Sequence, residues 1–89
     1  MNLRKAFAES LQTLRAKQGV TQEDFGIVSS RTYISMLERE LRSPTLEKID
    51  ALADVLKVHP LALLALTYKL KDRSSLDALW ARVQLDLSE

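Results

Sequence analysis

The sequence contains no cysteine, which excludes a disulfide framework, a thiolate nucleophile and a zinc–thiolate site. It contains one histidine, His59, so a metal site would have to be built from carboxylates alone. Glycine and proline occur twice each, and apolar residues make up 46% of the chain, a composition that favours one compact domain over disorder. We therefore expect an all-α domain that needs neither a metal nor another cofactor.

The residues of a catalytic centre are missing as well. His59 stands directly before Pro60, and neither a Ser-His-Asp set nor a Gly-rich phosphate loop can be assembled from the chain. We expect that the protein is not an enzyme. An enzyme accessory or a small hydrolase is the function that the sequence supports least.

Long apolar runs are absent. The longest, Leu61 to Leu66, is far too short to span a bilayer. The first residues, MNLRKAFAESLQTL, carry charge from residue 4 and lack the apolar core of a signal peptide. We expect a soluble, cytoplasmic protein with no membrane partner.

The net charge is small but unevenly distributed. Residues 1–48 hold eight Lys and Arg against six Asp and Glu, a balance of +2, whereas residues 49–89 hold five against six, a balance of −1. The basic excess therefore lies in residues 1–48. Its sign is the one that a phosphate-binding surface requires, although it is too small to decide the function alone.

Apolar spacing predicts six helices. The first carries its apolar face at Leu3, Phe7, Leu11 and Leu14 and ends at Gly19, a left-handed C-cap. Later helices are predicted at about 21–28, 31–40, from the Thr45 cap to Leu56, 60–71 and 75–87.

The second helix begins at the N-cap Thr21, and Asp24 three residues later forms a variant of the capping box. Gly26 lies inside it at a helix-propensity cost of about 1 kcal/mol relative to Ala. We expect close approach of the next helix across Gly26 to compensate. Ser30 then caps a helix whose first turn carries Arg31, and this layout is that of a helix-turn-helix, which places its second helix in the DNA major groove.

Several short motifs occur in one register: LR-x-x-x-G-x-TQE, RTYIS, IS-x-x-ER, SPTLEKI and LA-x-x-L. Together they resemble the Cro/phage-repressor (XRE-type) helix-turn-helix family over roughly residues 3–66. The RTYIS-x-x-ER run is especially similar to the controller proteins of restriction–modification systems. The resemblance implies a lambda-repressor-like domain of five or six helices that binds double-stranded DNA.

The resemblance also implies residue roles. Gln22 is expected to hold a phosphate, and Arg31, Thr32 and Ser35 to read base edges. Tyr33 would reach a phosphate, a sugar or a base, or only pack. Met36 would touch a base methyl group, or only border the core. The full set of expected DNA contacts is Thr21, Gln22, Ser30, Arg31, Thr32, Tyr33, Ser35, Met36, Arg39, Arg42 and Ser43.

Arg15 and Glu38 match the family's buried ion pair, which would orient the recognition helix without touching DNA. The sequence departs from the family in two regions. The segment between the second and third helices lacks the usual glycine and is about two residues shorter. Glu40 stands where a glycine normally follows the Glu-Arg pair, so either the helix continues further or Glu40 is left-handed.

We expect residues 1–71 to form the helix-turn-helix domain and residues 72–89 a C-terminal helix that extends it. The helix at 60–71 is apolar nearly all round, which suggests a partner surface. The predicted homodimer contacts are Leu61, Leu64, Leu76, Leu79, Trp80 and Val83. Alternatively, the last helix folds back and completes the core of its own domain.

The expected function is regulation of transcription by a homodimer on a palindromic operator, with no small-molecule ligand evident. The sequence leaves activation and repression equally open. An alternative is a protein-interaction module, such as an antitoxin-like or anti-repressor partner, that uses the last two helices.

Overall fold

The computed structural model describes residues 1–89 and contains helices and no strands. None of these helices is long and apolar enough to cross a membrane. The elements are α1 (Leu3–Gln18), a 3₁₀ helix (Gln22–Ile27), α2 (Arg31–Glu38), α3 (Leu46–Leu56), α4 (Pro60–Asp72) and α5 (Leu76–Leu87). The predicted all-α fold is confirmed.

Side-chain caps begin the helices where the sequence predicted them. Thr45 begins α3 and Ser75 begins α5, each accepting a hydrogen bond from a backbone N–H three residues later. Gly19 ends α1 with φ of 67°, a left-handed conformation that costs glycine little. These boundaries are set locally, so the sequence alone locates them.

The core lies where α1, α2, α3 and α4 meet around the 3₁₀ helix. α1 packs along α4, while the 3₁₀ helix packs against α2 and α3 and its Phe25 is fully buried. The cluster consists of Phe7, Leu11, Leu14, Phe25, Ile34, Leu37, Ile49, Leu52, Leu56 and Leu63. Burial of this cluster is the main force that holds α2, because a helix of eight residues is not stable alone.

The second helix differs from its prediction. Residues 22–27 form a 3₁₀ helix rather than an α-helix, with Thr21 and Asp24 joined in the predicted capping box. The expected close approach across Gly26 is wrong: a Cβ built there would meet no atom within 4 Å. Gly26 is exposed, so no helix crosses over it.

The end of α2 resolves the alternatives for Glu40. The helix stops at Glu38, and Glu40 has a left-handed φ of 65°. The Leu41 N–H donates to the Met36 carbonyl over 2.9 Å, and the Glu40 N–H donates to the Leu37 carbonyl over 3.2 Å. This is a Schellman motif with glutamate in the glycine position.

α5 extends away from the rest of the molecule. It packs only against α4, and none of its residues is buried. The principal extents of 42 × 23 × 23 Å reflect this projection. The alternative in which the last helix completes the core of its own domain is therefore wrong.

Candidate nucleic-acid interface

α2 has one buried face and one polar face. Ile34 and Leu37 are fully buried in the core, whereas Arg31 and Thr32 are exposed in the first turn. Ser35 lies one turn further and is half-buried, as is Met36. The polar side chains of the first turn thus project from a helix whose other side is fixed in the core.

Arg31 is placed by a weak ion pair. Its Nη1 lies 3.4 Å from Oε1 of Glu23 in the 3₁₀ helix, and the Arg31 side chain is 70% exposed. An exposed pair at this distance stabilises by about 0–1 kcal/mol, so the guanidinium can leave Glu23 at little cost. Glu23 holds the guanidinium near the helix start without immobilising it.

Beneath this surface, Glu38 joins three elements. Its carboxylate accepts hydrogen bonds from Arg15 of α1, with Nε over 2.8 Å and Nη2 over 3.1 Å. It also accepts one from Nε2 of Gln22 over 2.7 Å. The Glu38 side chain is only 6% exposed, so these contacts replace its water and fix α2 relative to α1 and the 3₁₀ helix.

Gln22 is consequently part of this network. One hydrogen of its amide donates to Glu38, and the second makes no hydrogen bond within the chain. Thr21 and Ser30 are similarly occupied, since each hydroxyl oxygen caps a helix by accepting from Asp24 N–H or Tyr33 N–H. These three residues position the two helices, and any phosphate contact they make is additional.

Lys48 of α3 holds the turn that precedes α2. Its Nζ donates to the Val28 carbonyl over 2.8 Å and lies 5.2 Å from the centroid of the Tyr33 ring. Val28 ends the 3₁₀ helix, so the ammonium satisfies a carbonyl at the negative end of that helix. Sequence reasoning missed Lys48, because its role depends on how α3 packs against the turn.

The far end of α2 carries more cationic groups. Arg39 and Arg42 are exposed, and Nε of Arg39 donates to the Ser35 carbonyl over 3.4 Å. The Ser43 hydroxyl accepts from Nε of Arg4 over 3.1 Å. Arg4, at the start of α1, was also missed by sequence reasoning and adds a positive charge beside this loop.

The residues predicted to form a dimer surface separate into groups. Leu61, Leu76 and Trp80 line one open groove between α4 and α5. Leu64 instead lies on another side of α4, against the core and beside a separate cleft near the start of α1. Leu79 and Val83 are half-buried on α5.

The fold and the exposed face of α2 define a DNA-binding helix-turn-helix protein. The family model described as "Helix-turn-helix" matches residues 11–63, and the chain belongs to this family. The predicted resemblance to XRE-type proteins is confirmed, and the protein is a DNA-binding transcriptional regulator. The narrower resemblance to restriction–modification controllers stays a prediction.

The chain is also similar to a solved structure, the hypothetical transcription factor NHTF from Neisseria. The TM-score is 0.64 and the sequence identity is 31%, over 71% of this chain and 75% of the Neisseria chain. No curated protein sequence matches the chain.

Proposed function

We propose that the protein binds duplex DNA sequence-specifically as a homodimer on a palindromic operator, with α2 as the recognition helix. The observation that carries this proposal is the exposed first turn of α2, fixed from behind by the Glu38 network. Arg31 would fork onto guanine O6 and N7, Thr32 and Ser35 would contact neighbouring base edges, and Arg39 and Arg42 would hold phosphates.

Dimerisation follows from the size of the reading surface. α2 contains eight residues, and its exposed side chains span only a few base pairs. Two copies placed about 34 Å apart would contact successive major-groove faces of a palindrome. The exposed apolar residues on α4 and α5, including Leu61 and Trp80, support a second copy as the partner.

The regulator would act by occupancy, because a dimer bound at an operator either blocks polymerase or recruits it. Since it would act on DNA, we propose a cytoplasmic location for it. Transcription from a promoter that carries the operator, measured with and without the protein, distinguishes repression from activation.

Selection of bound sites from random duplex DNA tests the proposal. We expect recovered sites to share two inverted half-sites at one fixed spacing, and a double variant, Arg31→Ala with Ser35→Ala, to recover no shared sequence. Recovery of a single unpaired half-site would contradict the dimer. A pool with no enrichment, together with a tightly bound partner protein, would favour the protein-interaction alternative.

A further inference from the structure

An open apolar groove lies between α4 and α5, with α1 at its base. We call it the α4–α5 groove. Its lining includes Leu14 of α1, Leu61, Ala65 and Leu66 of α4, and Leu76 and Trp80 of α5. Its volume of about 780 Å³ is large enough for several side chains of a packed helix. An exposed groove of this size with a largely apolar lining is typical of a binding site for a macromolecule.

α5 packs only against α4, and its C-terminal part carries exposed apolar side chains. Leu79, Val83 and Leu87 continue the apolar stripe that begins at Leu76, because they recur at helical spacing. Leu87 is 78% exposed, and no residue of α5 is buried. A helix of 12 residues is marginal in water, so its stability requires packing of this stripe.

The charges of the groove and of α5 are opposite. Lys17 and Lys69 lie at the groove, and no acidic residue lines it. Residues 76–89 contain three acidic residues and one basic residue, a balance of −2. Asp86, in the last turn of α5, forms an exposed ion pair with Arg82, and Glu89 follows the end of the helix. An acidic helix end thus matches a basic groove on the same molecule.

We propose that the C-terminal half of α5 from a second copy of this chain occupies the α4–α5 groove, and that the exchange is reciprocal. The inference rests on the proposed homodimer and specifies how it is built. One chain cannot fill its own groove in this way, since its α5 forms one wall. In two copies related by a two-fold axis, each groove is filled and each α5 is covered, and both contacts are of the same kind.

In this arrangement Leu87 of each protomer lies near the partner's Ala65, and Asp86 and Glu89 lie near the partner's Lys17 and Lys69. A simpler dimer, in which two α5 helices pair outside the grooves, would leave both lysines in solvent. The lysines therefore distinguish reciprocal exchange from helix pairing.

A charge-swap experiment tests the exchange. The full chain is prepared as a groove variant, Lys17→Glu with Lys69→Glu, and a tail variant, Asp86→Lys with Glu89→Lys. Sedimentation equilibrium at low salt should give a dimer dissociation constant roughly tenfold weaker for each variant than for the native chain, since four exposed charge pairs become repulsive. An equimolar mixture should recover native affinity, because both contacts become attractive again.

A native dimer with no loss in the groove variant would overturn the exchange while leaving the homodimer intact. A native chain that stays monomeric on its operator would overturn both the dimer and this inference. Circular dichroism of the tail variant, at a concentration where it is dimeric, checks that α5 remains helical.

The absence of cysteine permits a second test. Ala65→Cys and Leu87→Cys are prepared in separate chains, mixed and oxidised. We expect a disulfide between the two different chains in the mixture and little covalent dimer from either chain alone. Efficient self-linking of the Leu87→Cys chain, without mixed product, would instead indicate pairing of the two α5 helices.

Discussion

The proposed recognition of DNA by α2 depends most on one side chain, that of Arg31. Its guanidinium is in solvent, next to Glu23, and its backbone lies in the first turn of a helix that the core holds. Replacing Arg31 with alanine should therefore change DNA binding without changing the fold.

We expect Arg31→Ala to lower affinity for the selected operator by about 1–3 kcal/mol and to relax preference at the base pair it reads. Lys71→Ala is the control, because Lys71 is also a cation paired with a carboxylate, Asp72, and belongs to neither the proposed DNA contacts nor the proposed dimer contacts. Fluorescence anisotropy with the operator and with single-base variants measures both effects. An unchanged operator preference in Arg31→Ala would show that α2 is not the reading helix.

Glu40 has a left-handed backbone conformation, which is unfavourable for a residue that carries a Cβ atom. A left-handed conformation costs an L-residue other than glycine about 1–2 kcal/mol. Glycine removes this strain, but it also gives the unfolded chain more conformational entropy, which offsets part of the gain. We expect Glu40→Gly to raise the free energy of unfolding by about 0.5–1 kcal/mol. Urea denaturation at fixed protein concentration measures the change.

Glu40→Ala provides the control, because it removes the charge and keeps the Cβ atom. It should not stabilise the protein. Equal stabilisation by both variants would assign the effect to the charge of Glu40 rather than to its backbone.

At the scale of elements, the sequence predicted the boundaries of the helices more accurately than it predicted the contacts between them. Thr45, Ser75 and Gly19 mark boundaries because a cap acts within three or four residues of itself. The prediction for Gly26 failed because helix packing across a glycine depends on tertiary geometry. Lys48 was missed for the same reason, since its contact to Val28 spans 20 residues.

Lys48 should stabilise the turn between the 3₁₀ helix and α2. We expect Lys48→Met to lower the free energy of unfolding by about 1–2 kcal/mol, because it loses a charge-assisted hydrogen bond and the contact over Tyr33. Lys5→Met, at an exposed position of α1, is the control and should change little. If both variants unfold at the same urea concentration as the native chain, Lys48 does not hold the turn.

The Arg15–Glu38 pair fixes α2 against α1, and the contribution of each charge to stability depends on the presence of the other. Glu38→Gln should cost about 3 kcal/mol of stability, because Arg15 keeps a partly buried charge without its partner. Replacing both residues with methionine should recover most of this loss, since the pair is then absent and the volume is kept. Additive losses in the thermal or urea unfolding of the single and double variants would show that the two charges are not coupled.

At the scale of the whole molecule, the sequence indicated the fold and the position of α2 but not the shape of the protein. The motifs around Arg31 and Glu38 lie in a contiguous segment, so their register was visible directly. The projection of α5 could not be predicted from the sequence, because an apolar stripe is equally compatible with a folded-back helix and with an exposed one. The structure shows α5 exposed, which makes a second copy the natural partner in the proposed homodimer.

The measurement that tests the central claim most directly is a pair of salt titrations with the purified native chain. One uses the operator recovered by selection and the other a scrambled duplex of the same composition. We predict that the operator is bound at least ~10³-fold more tightly at physiological salt, and that binding to both duplexes weakens as salt rises. Equal, weak affinity for the two duplexes at low salt would contradict sequence-specific recognition by α2.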